Sequence, residues 1–129
     1  MALTEAVAAA VAEILGGMPD VSWTVSDDGT GGAVLVGAGV PLGGPWEQAD
    51  TWIGFRIPFT YPYADVYPHF VRGDLRRRDG GALGEATSLT TFEGMPAVQL
   101  SRRSPRRVPG VETALIKLIK VLAWLRDRP

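Results

Sequence analysis

Apolar residues near the start of the chain recur at the spacing of a helix that is buried on one side. They stand at Leu3, Val7, Val11, Ile14 and Leu15. This recurrence at three and four residues predicts a helix over residues 4–15. Thr4 suits its N-cap, and Gly16-Gly17 ends it.

The end of the chain predicts a second helix by the same spacing. We expect it to begin near Pro109 or Gly110 and to run to about Arg126. Its apolar stripe is formed by Val111, Leu115, Leu118, Leu122 and Leu125. Lys117, Lys120 and Arg126 fall off this stripe.

Between the two helices, apolar residues alternate with polar or small ones, which is typical of strands. Strands are predicted over residues 21–26, 33–40 and 51–58, and a fourth over residues 69–75. Their short, turn-rich connectors favour an antiparallel meander.

Two segments show neither the helical spacing nor the alternation of a strand. Residues 58–68 contain three prolines and three tyrosines, which predicts a rigid, ordered loop. Residues 79–94 are rich in Gly and Thr and are interpreted as a long connection, after which residues 97–100 form a short strand or extended piece. The expected fold is a single α+β domain over residues 1–129, with helices covering one face of an antiparallel meander.

Composition removes several kinds of chemistry. The 129 residues include no cysteine, which excludes disulfides, thiolate metal sites and a cysteine nucleophile. With one histidine, His69, a zinc site is improbable and we expect neither metal nor cofactor. Gly37-Ala-Gly39 is followed by Pro41 rather than by a helix, so it is not a dinucleotide-binding loop.

Charge and hydropathy favour a cytoplasmic protein. The net charge is −1, and Glu5 and Glu13 precede any basic residue, unlike a secretory signal. No continuous apolar run has the character of a membrane span. We therefore expect no membrane and no nucleic-acid partner.

The basic residues all lie at or after Arg56. Two clusters stand out: Arg76–Arg78, and a group around Ser104-Pro105 that comprises Arg102, Arg103, Arg106 and Arg107. Each cluster is either a set of solvated loop residues or a docking surface for an anionic partner. The sequence leaves both interpretations open.

The order of elements and motifs resembles the ubiquitin-conjugating-enzyme family, and within it a bacterial branch often called family E. The matching residues span about 50–125: Ile57-Pro58, Tyr61-Pro62, Pro68-His-Phe70, Gly94-Met-Pro96, Gln99-Leu-Ser-Arg-Arg103 and Pro109-Gly-Val-Glu112. The resemblance implies the corresponding α+β fold. It also implies a ubiquitin-like modification pathway, with an activating-enzyme-like protein and a ubiquitin-like protein as partners.

The chain departs from that family at its catalytic elements. Conjugating enzymes carry a His-Pro-Asn element and a cysteine that holds the modifier as a thioester. This sequence contains neither asparagine nor cysteine, and Pro68-His69 is not that element. The usual thioester chemistry is therefore excluded, unless another subunit supplies the thiol.

Two hypotheses for function remain. In the first, Ser101 carries the modifier as an oxyester, Arg102 or Arg103 stabilises the oxyanion, and His69 acts as base if the fold brings it close. Ser104 is the second candidate nucleophile. A Ser-His-Asp triad lacks the Gly-x-Ser-x-Gly elbow, and a lone histidine beside a proline favours a structural or surface role. In the second hypothesis the domain is a non-catalytic scaffold, and Ser101 is a turn or capping residue.

Overall fold

The first helix follows the sequence pattern closely. A computed structural model describes residues 2–104, 108–109 and 111–128. Helix α1 spans Glu5–Gly17, and the Thr4 hydroxyl accepts a hydrogen bond from the Val7 amide at 3.2 Å. The prediction over residues 4–15 is confirmed. Val7, Ala10, Val11 and Ile14 are buried against the sheet and the second helix.

Six antiparallel strands form one sheet. They are β1 (Ser22–Asp27), β2 (Ala33–Pro41), β3 (Asp50–Ile57), β4 (His69–Arg72), β5 (Thr87–Phe92) and β6 (Met95–Leu100). Their order in the sheet is β1-β2-β3-β4-β6-β5. The first four strands form the predicted meander, but β6 pairs with β4 and places β5 at the edge.

The sequence prediction was wrong for the second half of the sheet. The segment 79–94 is not one irregular connection, because it contains β5. Phe92 is the one buried side chain of β5, so this edge strand shows no alternation of apolar and polar positions. Strand β6 begins at Met95 rather than at Ala97, and β4 ends at Arg72 rather than at residue 75.

The second helix begins later than predicted. Helix α2 spans Ala114–Arg126, and Thr113 caps it by accepting a hydrogen bond from the Ile116 amide at 3.2 Å. The predicted start near Pro109 or Gly110 is therefore wrong; Gly110 itself lies outside the described residues. Lys117 was predicted to lie off the buried stripe of this helix. That prediction is wrong, since the residue is only 3% exposed.

The two helices pack on one face of the sheet and form the main core. Leu35 of β2 and Ile53 and Phe55 of β3 are fully buried in this core with both helices. The opposite face carries a smaller cluster around Phe70, Phe92 and Ala97, with Trp52 partly buried against it. None of the described helices is long and apolar enough to cross a membrane.

One corner of the domain brings together three segments that are distant in sequence. The tyrosine–proline loop, residues 58–68, leads from β3 into β4. Because His69 of β4 pairs with Leu100 of β6 in antiparallel register, residues just before β4 lie beside residues just after β6. The Tyr61 hydroxyl accepts a hydrogen bond from the Ala114 amide at 3.1 Å, which joins the loop to the start of α2.

Candidate functional site

Ser101 lies where β6 ends, at the corner formed by the loop, the sheet and α2. Its amide donates a hydrogen bond to the Ala86 carbonyl oxygen at 2.8 Å. Its hydroxyl oxygen accepts a hydrogen bond from Nε2 of Gln99 at 3.2 Å. The residue is half-buried. The first contact fixes the backbone, and the second orients the hydroxyl.

Tyr67 is the side chain that joins Ser101 to Arg103. Hydrogen bonds with Arg103 and, to a smaller extent, with Ser101 hold the pKa of the Tyr67 phenol below its usual value, and the Arg103 charge acts in the same direction. The guanidinium carbon of Arg103 lies 4.7 Å from the centre of the Tyr67 ring. The arrangement therefore stabilises the charged form of Tyr67 relative to that of a free tyrosine.

The two arginines predicted as oxyanion partners point to different neighbours. Arg103 contacts Tyr67, whereas the guanidinium carbon of Arg102 lies 4.9 Å from the centre of the Trp124 ring. Arg128 contacts the same indole at 4.5 Å. Of the predicted pair, Arg103 is therefore the residue whose side chain is grouped with Ser101 through Tyr67.

His69 is not joined to Ser101 by a hydrogen bond. Its ring is fully buried and tilted against Phe55, with 5.0 Å between ring centres. Neither ring nitrogen has a hydrogen-bond partner among the described residues. Burial, helped by the charge of Lys117, lowers the pKa of His69 to about 3. The geometry places His69 in the core as a neutral side chain and gives its predicted role as base no support.

Ser104 is held in a separate network. Its amide donates to Oδ2 of Asp65 at 2.8 Å, and its hydroxyl oxygen accepts from Nζ of Lys117 at 2.6 Å. Lys117 also donates to both carboxylate oxygens of Asp65, at 3.1 and 3.0 Å. The Ser104 hydroxyl is further hydrogen-bonded to Glu112. This network ties the loop to α2.

Two cavities lie beside Arg103 and Ser104. One, of about 310 Å³, is lined by Asp65, Tyr67, Arg103 and Ser104. The other, of about 90 Å³, is smaller and mainly basic, and its lining includes Arg102, Lys117 and Lys120. The Tyr67 phenol thus borders the larger of these two spaces.

The cluster Arg76–Arg78 makes contacts within its own fold. Nε of Arg78 donates to the Trp46 carbonyl oxygen at 2.9 Å, and Nε of Arg77 donates to Asp79 at 3.1 Å. Arg76 is exposed and lies 3.9 Å from Glu47. Arg106 and Arg107 of the other cluster lie outside the described residues.

Sequence reasoning did not identify Tyr67, Asp65 or Lys117 as site residues. Tyr67 was recognised as part of a rigid loop, without a partner. The pairing of β4 with β6 is what brings it next to residues 101–103, so a correct strand order would have revealed this proximity. Lys117 occupies a core position with its partner 52 residues earlier, which helical periodicity cannot indicate.

Comparisons with known proteins add no assignment. No protein-family profile, no curated protein and no solved structure matches this chain. Among residues 2–104, 108–109 and 111–128, no group of three or more His, Asp or Glu side chains is placed to hold a metal ion.

Proposed function

We propose that this protein is a ubiquitin-conjugating-like protein of a bacterial ubiquitin-like modification pathway, which carries the modifier as an oxyester on Ser101. The order of elements supports this proposal: a first helix, an antiparallel sheet with a tyrosine–proline loop after its third strand, and a closing helix. The same order carries the resemblance in the sequence. The partners proposed are an activating-enzyme-like protein and the ubiquitin-like modifier.

The observation that carries the proposal is the grouping of a serine hydroxyl, a phenol and a guanidinium at one half-buried corner. A serine hydroxyl is a weak nucleophile unless a neighbour accepts its proton. The Ser101 hydroxyl is hydrogen-bonded to the Tyr67 phenol, and Arg103 adds a positive charge beside them. A fixed positive charge near the reacting atoms stabilises a developing oxyanion.

The proposed step is a transfer of an acyl group from a thioester on the activating-enzyme-like partner. The Ser101 Oγ attacks the carbonyl carbon of the modifier's C-terminal residue. The oxygen–carbon bond forms, the carbon–sulfur bond breaks, and the thiolate of the partner leaves. The serine proton passes to a base at the site, so no oxidant or reductant is required.

The proposal is tested by the intact mass of the protein after co-expression with its genomic neighbours. We expect an added mass equal to one ubiquitin-like protein, which is stable to a reducing thiol but is released by alkaline hydroxylamine. This pair of treatments separates an oxyester from a thioester and from an isopeptide bond. Ser101→Ala should abolish the adduct, and Ser88→Ala, at an exposed position of β5, should retain it.

A scaffold without catalysis is the second candidate function. It is favoured by the internal hydrogen bonds of both serines, which suit structural residues. In that case the mass stays unmodified while the partners are present and ATP is available. Ser101→Ala would then bind the activating-enzyme-like partner normally, whereas Arg102→Glu, at an exposed position, would weaken binding.

A further inference from the structure

Tyr67 lies between the candidate nucleophile and a positive charge, in a position that the sequence analysis did not assign. We propose that Tyr67 is the proton acceptor that activates Ser101, and that Arg103 positions the phenolate and stabilises its charge. This inference rests on the proposed function and deepens it, because it names the base that replaces the buried histidine.

Tyr67 accepts a proton only in its phenolate form, so its pKa matters for this role. A general base works best when its pKa is near the working pH, and a tyrosine with the usual value of about 10 is mostly protonated there. Bonds with Arg103 and Ser101 move the pKa of Tyr67 downward. A larger fraction of the phenolate is then present to accept the Ser101 proton.

The other charged groups around Tyr67 do not oppose this shift strongly. Asp65 lines the same cavity, but both of its oxygens accept hydrogen bonds from Lys117. The Lys117 ammonium, which also donates to Ser104, therefore offsets the negative charge of Asp65. His69, two residues along the chain, is neutral above about pH 3 and is buried in the core.

The space next to Tyr67 suits an incoming acyl group. The cavity of about 310 Å³ is lined by Tyr67 and Arg103 together with Asp65 and Ser104, and it opens to solvent. Ser101 is joined to this space through its hydrogen bond with the Tyr67 phenol. An extended peptide end that enters this space reaches the phenol and guanidinium together. Arg103 is then positioned to contact both the phenolate and the carbonyl oxygen of the acyl group.

The activation step is testable without the conjugation partners, because an activated ester supplies the acyl group. With p-nitrophenyl acetate, Ser101 Oγ attacks the acetyl carbonyl carbon and p-nitrophenolate leaves. Tyr67 accepts the serine proton and later releases it to solvent. The product is acetyl-Ser101, which peptide mass spectrometry locates and counts.

The experiment compares the rate of Ser101 acetylation between about pH 6 and 10 in the intact protein and its variants. We expect Tyr67→Phe to lower the rate by about 100-fold, the smaller end of the range for general-base catalysis. Tyr63→Phe, at a residue that is 81% exposed in the same loop, should leave it unchanged. Arg103→Gln should move the midpoint of the pH profile upward.

A second readout follows Tyr67 itself. Tyrosine-specific carbon labelling and NMR, with the signal assigned through Tyr67→Phe, should give a midpoint below the usual value of about 10, and Arg103→Gln should raise it. Thermal unfolding shows whether each variant is folded. A rate in Tyr67→Phe equal to that of the unaltered protein overturns the inference. So does acetylation of Ser101 no faster than that of Ser88.

Failure of the proposed function gives a different result. One possible result is that Ser101 is acetylated with the predicted dependence on Tyr67, yet no ubiquitin-like adduct forms on co-expression. In that case Tyr67 is correctly assigned as the base, and the proposal that Ser101 carries a ubiquitin-like protein is wrong. If the adduct forms on Ser101, and forms equally fast in the Tyr67→Phe variant and in the unaltered protein, the proposed function stands and Tyr67 is not the base.

Discussion

Ser101 and Ser104 lie three residues apart on the segment that follows β6, but their hydroxyl groups have different surroundings. The Ser104 hydroxyl accepts a hydrogen bond from a lysine that is 3% exposed and that is also paired with Asp65. The Ser101 hydroxyl meets the amide of Gln99 and the phenol of Tyr67 at a half-buried position. The Ser104 network is centred on an ion pair, and the Ser101 network on a phenol and a guanidinium.

On this difference we assign Ser104 a structural role, and we propose a chemical one for Ser101. Removal of one member of a buried ion pair destabilises the fold, because the remaining charge is left without compensation. The Ser104 network has this form and connects the loop to α2. A nucleophile instead needs a proton acceptor and access for a substrate. Ser101 is hydrogen-bonded to the Tyr67 phenol, and that phenol lines the cavity of about 310 Å³.

The largest effect on stability is expected when Lys117 is removed from the Ser104 network. Lys117→Met leaves the Asp65 carboxylate partly buried and without its ammonium partner. We expect a loss of about 3 kcal/mol in the free energy of unfolding, measured by urea denaturation. The proposed Ser101 site should keep its phenol and guanidinium.

The matched control is an ion pair at the surface. Arg76→Met removes a pair with Glu47 in which both side chains are more than half exposed, at 68% and 54%. This substitution should lower the free energy of unfolding by less than about 1 kcal/mol. If Lys117→Met costs no more than this control, the Ser104 network is not the structural connection described above.

The buried His69 reports on the polarity of the core around its ring. The pKa of His69 falls to about 3 on folding, from the usual value near 6.5. Below about pH 6.5 the unfolded chain binds a proton that the folded chain does not, so stability falls by about 1.4 kcal/mol per pH unit as pH decreases. His69→Phe, which keeps an aromatic ring against Phe55, should remove this component.

The measurement is the free energy of unfolding at about pH 6.5 and pH 5 in both proteins. Comparison within each variant cancels any difference in packing. The loss between these two values should be about 1.6 kcal/mol larger in the unaltered protein than in His69→Phe. Equal losses would mean that His69 is protonated in the folded state and that its surroundings are polar.

The two serines themselves should show opposite sensitivities. Ser104→Ala removes an acceptor from a buried ammonium and should cost about 1.5 kcal/mol of stability. Ser101→Ala removes a half-buried hydroxyl and should cost about 0.5 kcal/mol, as measured by the same denaturation. In the acetylation assay the order reverses: Ser101→Ala loses the labelled site, whereas Ser104→Ala keeps it. A larger stability loss for Ser101→Ala would contradict the assignment of roles.

The helices and strands that could be predicted are those marked by a capping residue or by a pattern of apolar positions within the segment itself. The Thr4 cap and the apolar positions Val7 and Val11 define α1, and alternation defines the first three strands. Strand β5 was missed because four of its six residues are exposed, so its sequence carries no burial pattern. The start of α2 was placed too early because Thr113, rather than Pro109, caps it.

The candidate site was predicted only in part, since it depends on pairings between distant segments. Ser101 and Arg103 were identified from a resemblance that covers residues around them. Tyr67 became part of the site only through the pairing of β4 with β6, and Lys117 through an ion pair with Asp65. His69 was expected to be either structural or a base, and its burial favours the structural role.

The most direct test of the account is to locate the attachment point of the modifier by tandem mass spectrometry. The protein is purified after co-expression with its genomic neighbours under conditions that preserve esters, then digested and sequenced. The account predicts that the C-terminal residue of the ubiquitin-like protein is attached to Ser101 and that Ser104 is unmodified. Attachment at Ser104 or at a lysine, or an unmodified chain in the presence of active partners, would contradict it.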